Sequence, residues 1–234
     1  MKRVAVVWGG FEGHEPKAAV DRFVPALEEA GIRVEMFDTL DLYSDLEAMQ
    51  RYALILQCWT MGEISGEQEV ALATAVRSGV GLAGWHGGLA DSFRSAPLFQ
   101  FVVGGQFVTH SPGAVAYRVE IERGGDGGVD PIVEGIDDFD MESEQYYLQV
   151  DVNNEVLAKT RFVGFDAGFC AGATVPFVWK RRFGAGRVFY SGVGHAAADF
   201  DIPEAFEITR RGILWAAGTE AAEGEQTGKA GGVS

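Results

Sequence analysis

The sequence predicts an α/β domain in which helices flank a mostly parallel sheet, with a β-rich extension in the second half. Short apolar runs alternate with helical segments in the first half of the chain. These runs are continuously apolar, which is typical of parallel strands buried on both faces. After residue 110, valine-rich runs follow one another without helical segments between them. This change of pattern indicates the β-rich extension.

The first half is expected to contain two long helices and four strands. One helix should begin at Pro16 and end near Ala30, just before a glycine. The other should follow Ser65, which has the spacing of a capping box with Gln68, and should run to about Arg77. The four strands are predicted at residues 3–8, 33–37, 53–57 and 80–83.

The second half is expected to be a succession of strands closed by one helix. The turn Gly184-Ala185-Gly186 predicts a hairpin, and a closing helix is expected over residues 203–217. Residues 219–234 have no apolar periodicity and are predicted to be a disordered tail, which leaves a single domain over residues 1–218. The strands of this half are predicted at residues 114–122, 156–160, 175–182 and 188–193.

Charge and apolar content exclude several classes of partner. The 234 residues carry a formal net charge of −15, which argues against nucleic acid and against an anionic membrane surface. We see no apolar run long enough to span a bilayer, and the apolar stretch near the N-terminus is too short for a signal peptide. The two cysteines, Cys58 and Cys170, suit a reducing compartment. A cytoplasmic protein with a small-molecule substrate is therefore expected.

The four histidines carry the functional argument. His14, His86, His110 and His195 are each predicted to lie in a glycine-flanked loop, just beyond a strand or a glycine pair. Loops that leave the carboxyl ends of parallel strands line the ligand crevice, and imidazole suits proton transfer and metal binding near neutral pH. The alternative for each histidine is a solvated or turn-capping role. Together they predict one polar site.

The most specific local pattern is Gly84-Trp85-His86-Gly87-Gly88. It has the Gly-x-nucleophile-x-Gly spacing of a nucleophile elbow, with histidine at the nucleophile position. We therefore expect His86 on a strained turn after a strand, with its imidazole exposed above the strand ends.

Several separated blocks resemble the ThuA-like (trehalose-utilisation) family, which has a flavodoxin-like, class I glutamine amidotransferase-like fold. The resemblance covers residues 3 to 218. The blocks are VVWGGFEGHE, GVGLAGWHGGLADSF, FVVGGQFVTH, DPIVEGIDDFDMESEQYY, GAGRVFYSGVGH and RRGILWAAG. Two positions depart from the family's pattern. This chain has Asp130-Pro131 where the family often has His-Pro, and it has Ser143-Glu144 where the family has Asp-Glu.

The resemblance implies an enzyme of carbohydrate catabolism that acts on a sugar or keto-sugar derivative. It adds Glu144 and Tyr146 to the candidate site residues. A thiol-dependent glutamine amidotransferase is not expected, because His86 occupies the elbow where those enzymes need a thiolate. The rival interpretation is a non-catalytic metabolite-binding or regulatory protein that retains the fold.

Two chemistries remain open for this site. The four histidines are candidate ligands of a divalent metal such as Zn, Mn or Fe, which is the alternative we favour. In the metal-free alternative, His86 and His195 exchange protons while Asp91 or Glu144 orients an imidazole. The reaction would be that of a lyase, isomerase or hydrolase. No nucleotide cofactor is indicated, and a homodimer is expected only at the level of the family.

A further set of residues is expected to contact the substrate. Trp59 and Trp85 lie beside strand ends, where an aromatic face would serve as the floor for a sugar ring. Candidate substrate-binding residues are Trp59, Trp85, Gly87, His110 and Tyr146.

Overall fold

The computed structural model describes residues 1–124, 128–164 and 170–219, in which nine strands and seven α-helices form. The predicted tail lies outside the described residues, apart from Thr219. The strands are β1 (Arg3–Gly10), β2 (Arg33–Phe37), β3 (Leu54–Thr60), β4 (Gly81–Trp85), β5 (Gly105–Ile121), β6 (Phe139–Val150), β7 (Glu155–Arg161), β8 (Thr174–Phe183) and β9 (Gly186–Ser191). The helices are α1 (Pro16–Asp21), α2 (Val24–Glu29), α3 (Leu46–Met49), α4 (Gly66–Ser78), α5 (Gly87–Ala90), α6 (Pro97–Val103) and α7 (Pro203–Ala216).

All nine strands form one sheet, in the order β2-β1-β3-β4-β9-β8-β7-β5-β6. The five strands from β2 to β9 are mutually parallel, and the remaining four continue the sheet in antiparallel fashion. The predicted parallel sheet with a β-rich extension is thus confirmed. Strands β1, β3, β4 and β9 present their carboxyl ends side by side, where an open α/β sheet places its ligand crevice.

Helices cover both faces of the sheet, as the continuously apolar strands predict. One buried cluster packs α1, α2 and α7 against one face, with Val20, Leu27 and Ile208 among its members. A second cluster on the other face contains Val76 of α4 and Val102 of α6. In the part of the chain that the structure describes, we find no helix that is both long and apolar enough to cross a membrane.

The first half differs from prediction in one helix. The segment expected as a single helix over residues 16–30 forms α1 and α2, separated at Arg22 and Phe23. Pro25 explains the break, because it has no amide hydrogen to donate to the carbonyl four residues earlier. The capping box of α4 is confirmed: the Ser65 hydroxyl accepts from the Gln68 amide at 3.2 Å, and the Gln68 side chain accepts from the Ser65 amide at 2.9 Å.

The second half contains a strand that sequence reasoning missed. Strand β6 pairs with β5 over its whole length, and β5 begins earlier than expected, at Gly105. His110 therefore lies within a strand, and its predicted loop position is wrong. The register shifts beside His110 make β5 irregular there, and Pro112 cannot donate a ladder hydrogen bond. These features gave this part of β5 the pattern of a loop.

The close approach of α7 to β9 depends on Gly212. A Cβ atom at this position would lie 2.1 Å from the Phe189 ring, so the helix could not remain where it packs. We expect Gly212→Ala to lower the free energy of unfolding by about 1–3 kcal/mol through overpacking. Gly66→Ala is the matched control, because nothing lies within 4 Å of a Cβ at that helical position.

Chemical denaturation of both variants measures the difference. Alanine is intrinsically better than glycine in a helix, so the control should be unchanged or up to about 1 kcal/mol more stable. Equal stability of the two variants would contradict the packing described for Gly212.

Candidate functional site

All four histidines of the sequence surround one carboxylate, that of Glu144. His110 Nδ1 lies 3.1 Å from its Oε1. The other carboxylate oxygen, Oε2, is 3.5 Å from His195 Nδ1, 3.8 Å from His86 Nε2 and 3.9 Å from His14 Nε2. The glycine-flanked histidines predicted to form one polar site therefore do lie together.

The site lies between the carboxyl ends of three parallel strands and the paired strands β5 and β6 of the antiparallel half. His14, His86 and His195 follow the carboxyl ends of β1, β4 and β9. Glu144 and His110 come instead from β6 and β5, which are paired with each other near this point. The extension thus supplies the carboxylate, and the parallel strands supply the imidazoles that lie closest to its Oε2 atom.

His86 occupies a strained turn, as the elbow pattern predicts. Its φ of 42° and ψ of −134° are unusual for a residue with a side chain, and its amide donates to the Ser191 carbonyl at 2.7 Å. The expected exposure of its imidazole is wrong: the residue is 1% exposed. The Tyr146 ring covers it, at 3.8 Å between ring centroids.

His14 is oriented by a neighbouring strand. Its Nδ1 lies 2.9 Å from the Thr60 hydroxyl, which leaves Nε2 facing Glu144. Gly87 gives the ring its space, because a Cβ there would lie 2.7 Å from His14 Cε1 and 2.8 Å from Thr60 Cγ2. Gly87 thus acts on the site through His14, and direct contact with a substrate stays a prediction.

His195 is held through its backbone. The Asp199 carboxylate accepts from the His195 amide at 2.9 Å and from the Ser143 hydroxyl at 2.8 Å. The loop is also tied to the first histidine loop, since the Glu15 carboxylate accepts from the Ala197 amide at 3.0 Å. Sequence reasoning missed Thr60 and Asp199, because their importance depends on which loops are neighbours in space.

A metal-capable group forms within this cluster, with one change from the predicted ligand set. One nitrogen from each of His14, His86 and His195 and one oxygen of Glu144 all lie within 4.8 Å of one another. The sequence also predicted His110 as a ligand, but His110 is not in this group. Its Nδ1 contacts Glu144 and the Ser111 carbonyl, and its side chain is about half exposed. Glu144, predicted as a catalytic residue, takes its place.

Asp91 does not orient an imidazole, contrary to the alternative that gave it this role. Its buried carboxylate accepts two hydrogen bonds from Arg94, at 2.5 and 2.9 Å. Burial raises the pKa of Asp91, and the Arg94 guanidinium opposes that shift. Arg94 in turn lies over the Phe107 ring, 4.7 Å from its centroid. Glu144 is the carboxylate that faces the histidines.

The two tryptophans differ in their surroundings. Trp85 is fully buried and packs against Phe23 and Phe200, so it cannot serve as a floor for a sugar ring. It belongs to β4, a central strand with helices on both faces, which buries both sets of side chains. Trp59 is partly exposed and packs against Gly9 and Gly62, and its predicted substrate contact is a prediction still.

Burial and repulsion between the imidazoles keep His14 and His86 neutral. Burial, followed by repulsion from His195, lowers the pKa of His14 to about 4. Burial likewise lowers the pKa of His86 well below its ordinary value, with contributions from His14 and His195. The neighbouring Glu144 carboxylate raises the pKa of His195. Partial burial opposes ionisation of Glu144, but the surrounding histidines, led by His195, lower its pKa.

Both cysteines are free and buried. Cys58 lies behind the elbow, where a Cβ on Gly88 would approach its Sγ to 3.1 Å. Burial raises the pKa of Cys58 to about 12, so this thiol stays protonated near neutral pH. The residue at the elbow itself is a histidine, as the sequence indicates.

The comparisons with known proteins show the family of the chain. The ThuA family model, described as trehalose utilisation, matches residues 3–216. The chain belongs to this family. No curated protein matches it.

Solved structures show that the fold is shared within the ThuA-like group. A ThuA-like protein from Bacteroides uniformis has a TM-score of 0.72 at 16% identity, with 91% of each chain covered. One from Parabacteroides merdae has a TM-score of 0.73 at 16% identity, covering 95% of this chain and 92% of that one. A β-galactosidase from Bacillus circulans sp. alkalophilus is similar over 91% of this chain but only 30% of its own, with a TM-score of 0.56 and 14% identity.

The pKa of His14 gives a pH dependence for the metal-free protein. As the pH falls, His14 takes up a proton at its pKa of 6.5 in the unfolded chain, but only at a pKa of about 4 in the folded chain. The contribution of His14 to stability is therefore present above pH 6.5 and is lost as the pH falls towards 4. His195 acts in the opposite sense: its raised pKa contributes stability below the unfolded value, lost as the pH rises through the folded one.

Imidazole NMR titration of metal-free protein checks these directions, since only four histidines are present. His14 should titrate near pH 4 and His195 above 6.5. Single histidine-to-glutamine variants assign the signals. A His14 that titrates at the value of a free histidine would contradict the burial described here.

Proposed function

We propose that this ThuA-family protein is an enzyme acting on a sugar or keto-sugar derivative at a divalent metal centre. The ligands would be His14, His86, His195 and Glu144. One observation carries the proposal: three imidazole nitrogens and a carboxylate oxygen from four separate segments converge within 4.8 Å. Imidazole and carboxylate are the donors that Zn, Mn and Fe share.

The donor atoms have the spacing and the unmet bonding capacity of a ligand set. Neighbouring ligands of a tetrahedral zinc ion lie about 3.3 Å apart, slightly closer than the Glu144 distances of 3.5–3.9 Å. Both nitrogens of His86 are buried without a hydrogen-bond partner among the described residues, as is His195 Nδ1. Buried polar atoms left unpaired are costly, and a metal would satisfy one on each ring.

Residues that contact the proposed ligands from outside the metal-capable group support the same arrangement. The Thr60 hydroxyl can accept a hydrogen bond from His14 Nδ1–H, which would fix the tautomer whose Nε2 is free to bind a metal. Asp199 holds the backbone of His195, and His110 contacts the carboxylate oxygen of Glu144 that lies away from the other histidines. Such partners orient metal ligands and tune their basicity.

The chain's own residues divide the chemistry between them. A divalent metal held here would act as a Lewis acid towards a carbonyl or hydroxyl oxygen of the sugar. His110 is the half-exposed histidine, and its Nδ1 is occupied by Glu144 and the Ser111 carbonyl. Its Nε2 is thus available to exchange a proton with the substrate. The tightly packed His14 and His86 would bind the metal and orient the substrate.

Metal content tests the ligand set. Tag-free protein dialysed against Zn²⁺, Mn²⁺ or Fe²⁺ should retain about one equivalent of one of them by elemental analysis. Glu144→Gln and His86→Gln should weaken metal affinity by about 100-fold or more, because loss of even an outer-shell partner costs roughly 10–100-fold. Glu142→Gln is the matched control, since this exposed carboxylate lies two residues earlier on β6 and should change nothing.

Wild-type protein that binds none of the three ions would overturn the metal centre. Equal loss in Glu144→Gln and Glu142→Gln would overturn this ligand set. The catalytic part of the proposal is checked by assaying the same proteins on a panel of keto-sugars. Wild type and Glu142→Gln should turn over a substrate, and Glu144→Gln should not. Sugar binding without turnover in metal-loaded wild type would indicate a binding protein instead.

A further inference from the structure

An ion pair near the histidine site has no part in the proposed metal centre. Asp91 directly follows α5 and is buried, and its carboxylate accepts from Nε and Nη2 of Arg94. An ion pair with a buried member contributes little net stability, because removing charge from water costs about as much as the attraction returns. The pair is therefore better explained by how it holds Arg94 than by stability alone.

One edge of the Arg94 guanidinium is free to bind a ligand. The side chain is about half exposed, and Nη1 makes no hydrogen bond with any residue that the structure describes. Nη1 and the remaining N–H of Nη2 form an edge with two parallel donors, which matches the two oxygens of a carboxylate. Arginine stays charged throughout the physiological pH range, so this edge always carries positive charge.

Arg94 is also held rigidly. Its guanidinium lies over the Phe107 ring, 4.7 Å from the centroid. The Gln100 side chain donates to the Arg94 carbonyl at 2.9 Å. Just before it, buried Phe93 has a φ of 49°, and its amide donates to the Met61 carbonyl at 3.2 Å. A charged group that is fixed in this way loses little freedom when it binds a ligand.

The Phe107 ring joins Arg94 to the histidine site. Its centroid lies 6.0 Å from that of the His110 ring and 4.7 Å from that of the Tyr146 ring. Tyr146 in turn covers His86, at 3.8 Å between ring centroids. Arg94 therefore borders the histidine site on the side of His110.

The ion pair and the site are also within electrostatic reach of each other. Burial raises the pKa of Asp91 most, and Arg94 opposes this shift. Of the site residues, Glu144 raises the same pKa further and His110 lowers it. A divalent cation with Glu144 as its one anionic ligand would give the centre a net positive charge. An anion bound by Arg94 would therefore be attracted by the metal centre as well.

We propose that the free edge of Arg94 binds a carboxylate group of the substrate. This inference rests on the proposed function and adds the charge of the ligand, which the metal ligands do not specify. A carboxylate is favoured over a phosphate ester, because Asp91 and Glu144 would repel the second negative charge of the phosphate. Arg94 is then the specificity-determining residue that selects acidic over neutral ligands.

Three open-chain ligands test this carboxylate site by calorimetry with zinc-loaded protein. D-gluconate has a carboxylate where D-glucitol has a hydroxymethyl group, and D-glucitol 6-phosphate carries a phosphate ester instead. Wild type should bind gluconate about tenfold more tightly than either of the others, as expected for hydrogen bonds to a charged group. Zinc content is measured for every protein.

Arg94→Lys is the informative variant. Lysine keeps the positive charge beside Asp91 but has no second edge with paired donors. The Kd for gluconate should rise about tenfold, while the Kd for glucitol and the zinc content should stay unchanged, which also shows that the variant is folded.

Arg3→Lys is the matched control. Arg3 donates through Nε and Nη2 to Glu35 at 2.9 and 2.8 Å, and it lies 4.8 Å over the Tyr52 ring. This arrangement resembles that of Arg94, but Arg3 begins β1, at the end of the strand opposite to the histidines. Arg3→Lys should leave all three affinities unchanged.

The remaining outcomes separate this inference from the metal centre. Arg94→Lys that prefers gluconate as strongly as wild type does would overturn the inference, as would tightest binding of the phosphate by wild type. Wild type that holds zinc but binds gluconate no better than glucitol would remove the carboxylate site and leave the metal centre standing. A gluconate preference that depends on Arg94 in protein that holds no zinc would support the carboxylate site and overturn the metal centre. Loss of zinc in Arg94→Lys would make the ion pair a support of the metal centre, contrary to the inference.

Discussion

The arrangement of the site depends on one partly buried interaction, the contact of the Glu144 carboxylate with four imidazoles. The imidazoles of His14, His86 and His195 repel one another when they are charged at this distance. Glu144 stays ionised among them, and the balance leaves His14 and His86 neutral while His195 is favoured in its charged form. Imidazole binds a divalent cation in its neutral form, so metal binding here would release the proton that Glu144 favours on His195.

This interaction needs residues from both the parallel and the antiparallel half of the sheet. The parallel strands can deliver three histidines to their carboxyl ends, but they do not supply the carboxylate. Strand β6 does so from the far edge of the sheet, and Ser143 on that strand also contacts Asp199, which holds the His195 loop. The β-rich extension is thus part of the site. Its irregular strand β5 places His110 against the other oxygen of Glu144.

Much of this could be predicted from local pattern. Apolar runs predicted the parallel strands. The glycine-flanked histidines predicted the histidine cluster, because the carboxyl ends of parallel strands meet in an open sheet. Glu144 entered only through resemblance to the family, since nothing in its own segment marks it. The contacts of Thr60 and Asp199 depend on tertiary neighbours, which no local pattern contains. Trp85 was misassigned because a strand buried on both faces does not reveal that its last residue faces the core.

The central claim is that His14, His86, His195 and Glu144 bind one divalent cation. Anomalous X-ray diffraction from crystals of this chain grown with zinc tests this most directly. The account predicts one strong peak about 2.0–2.2 Å from His14 Nε2, His86 Nε2, His195 Nδ1 and a Glu144 oxygen. A peak at other residues, or none while Glu144 still lies against the imidazoles, would contradict it.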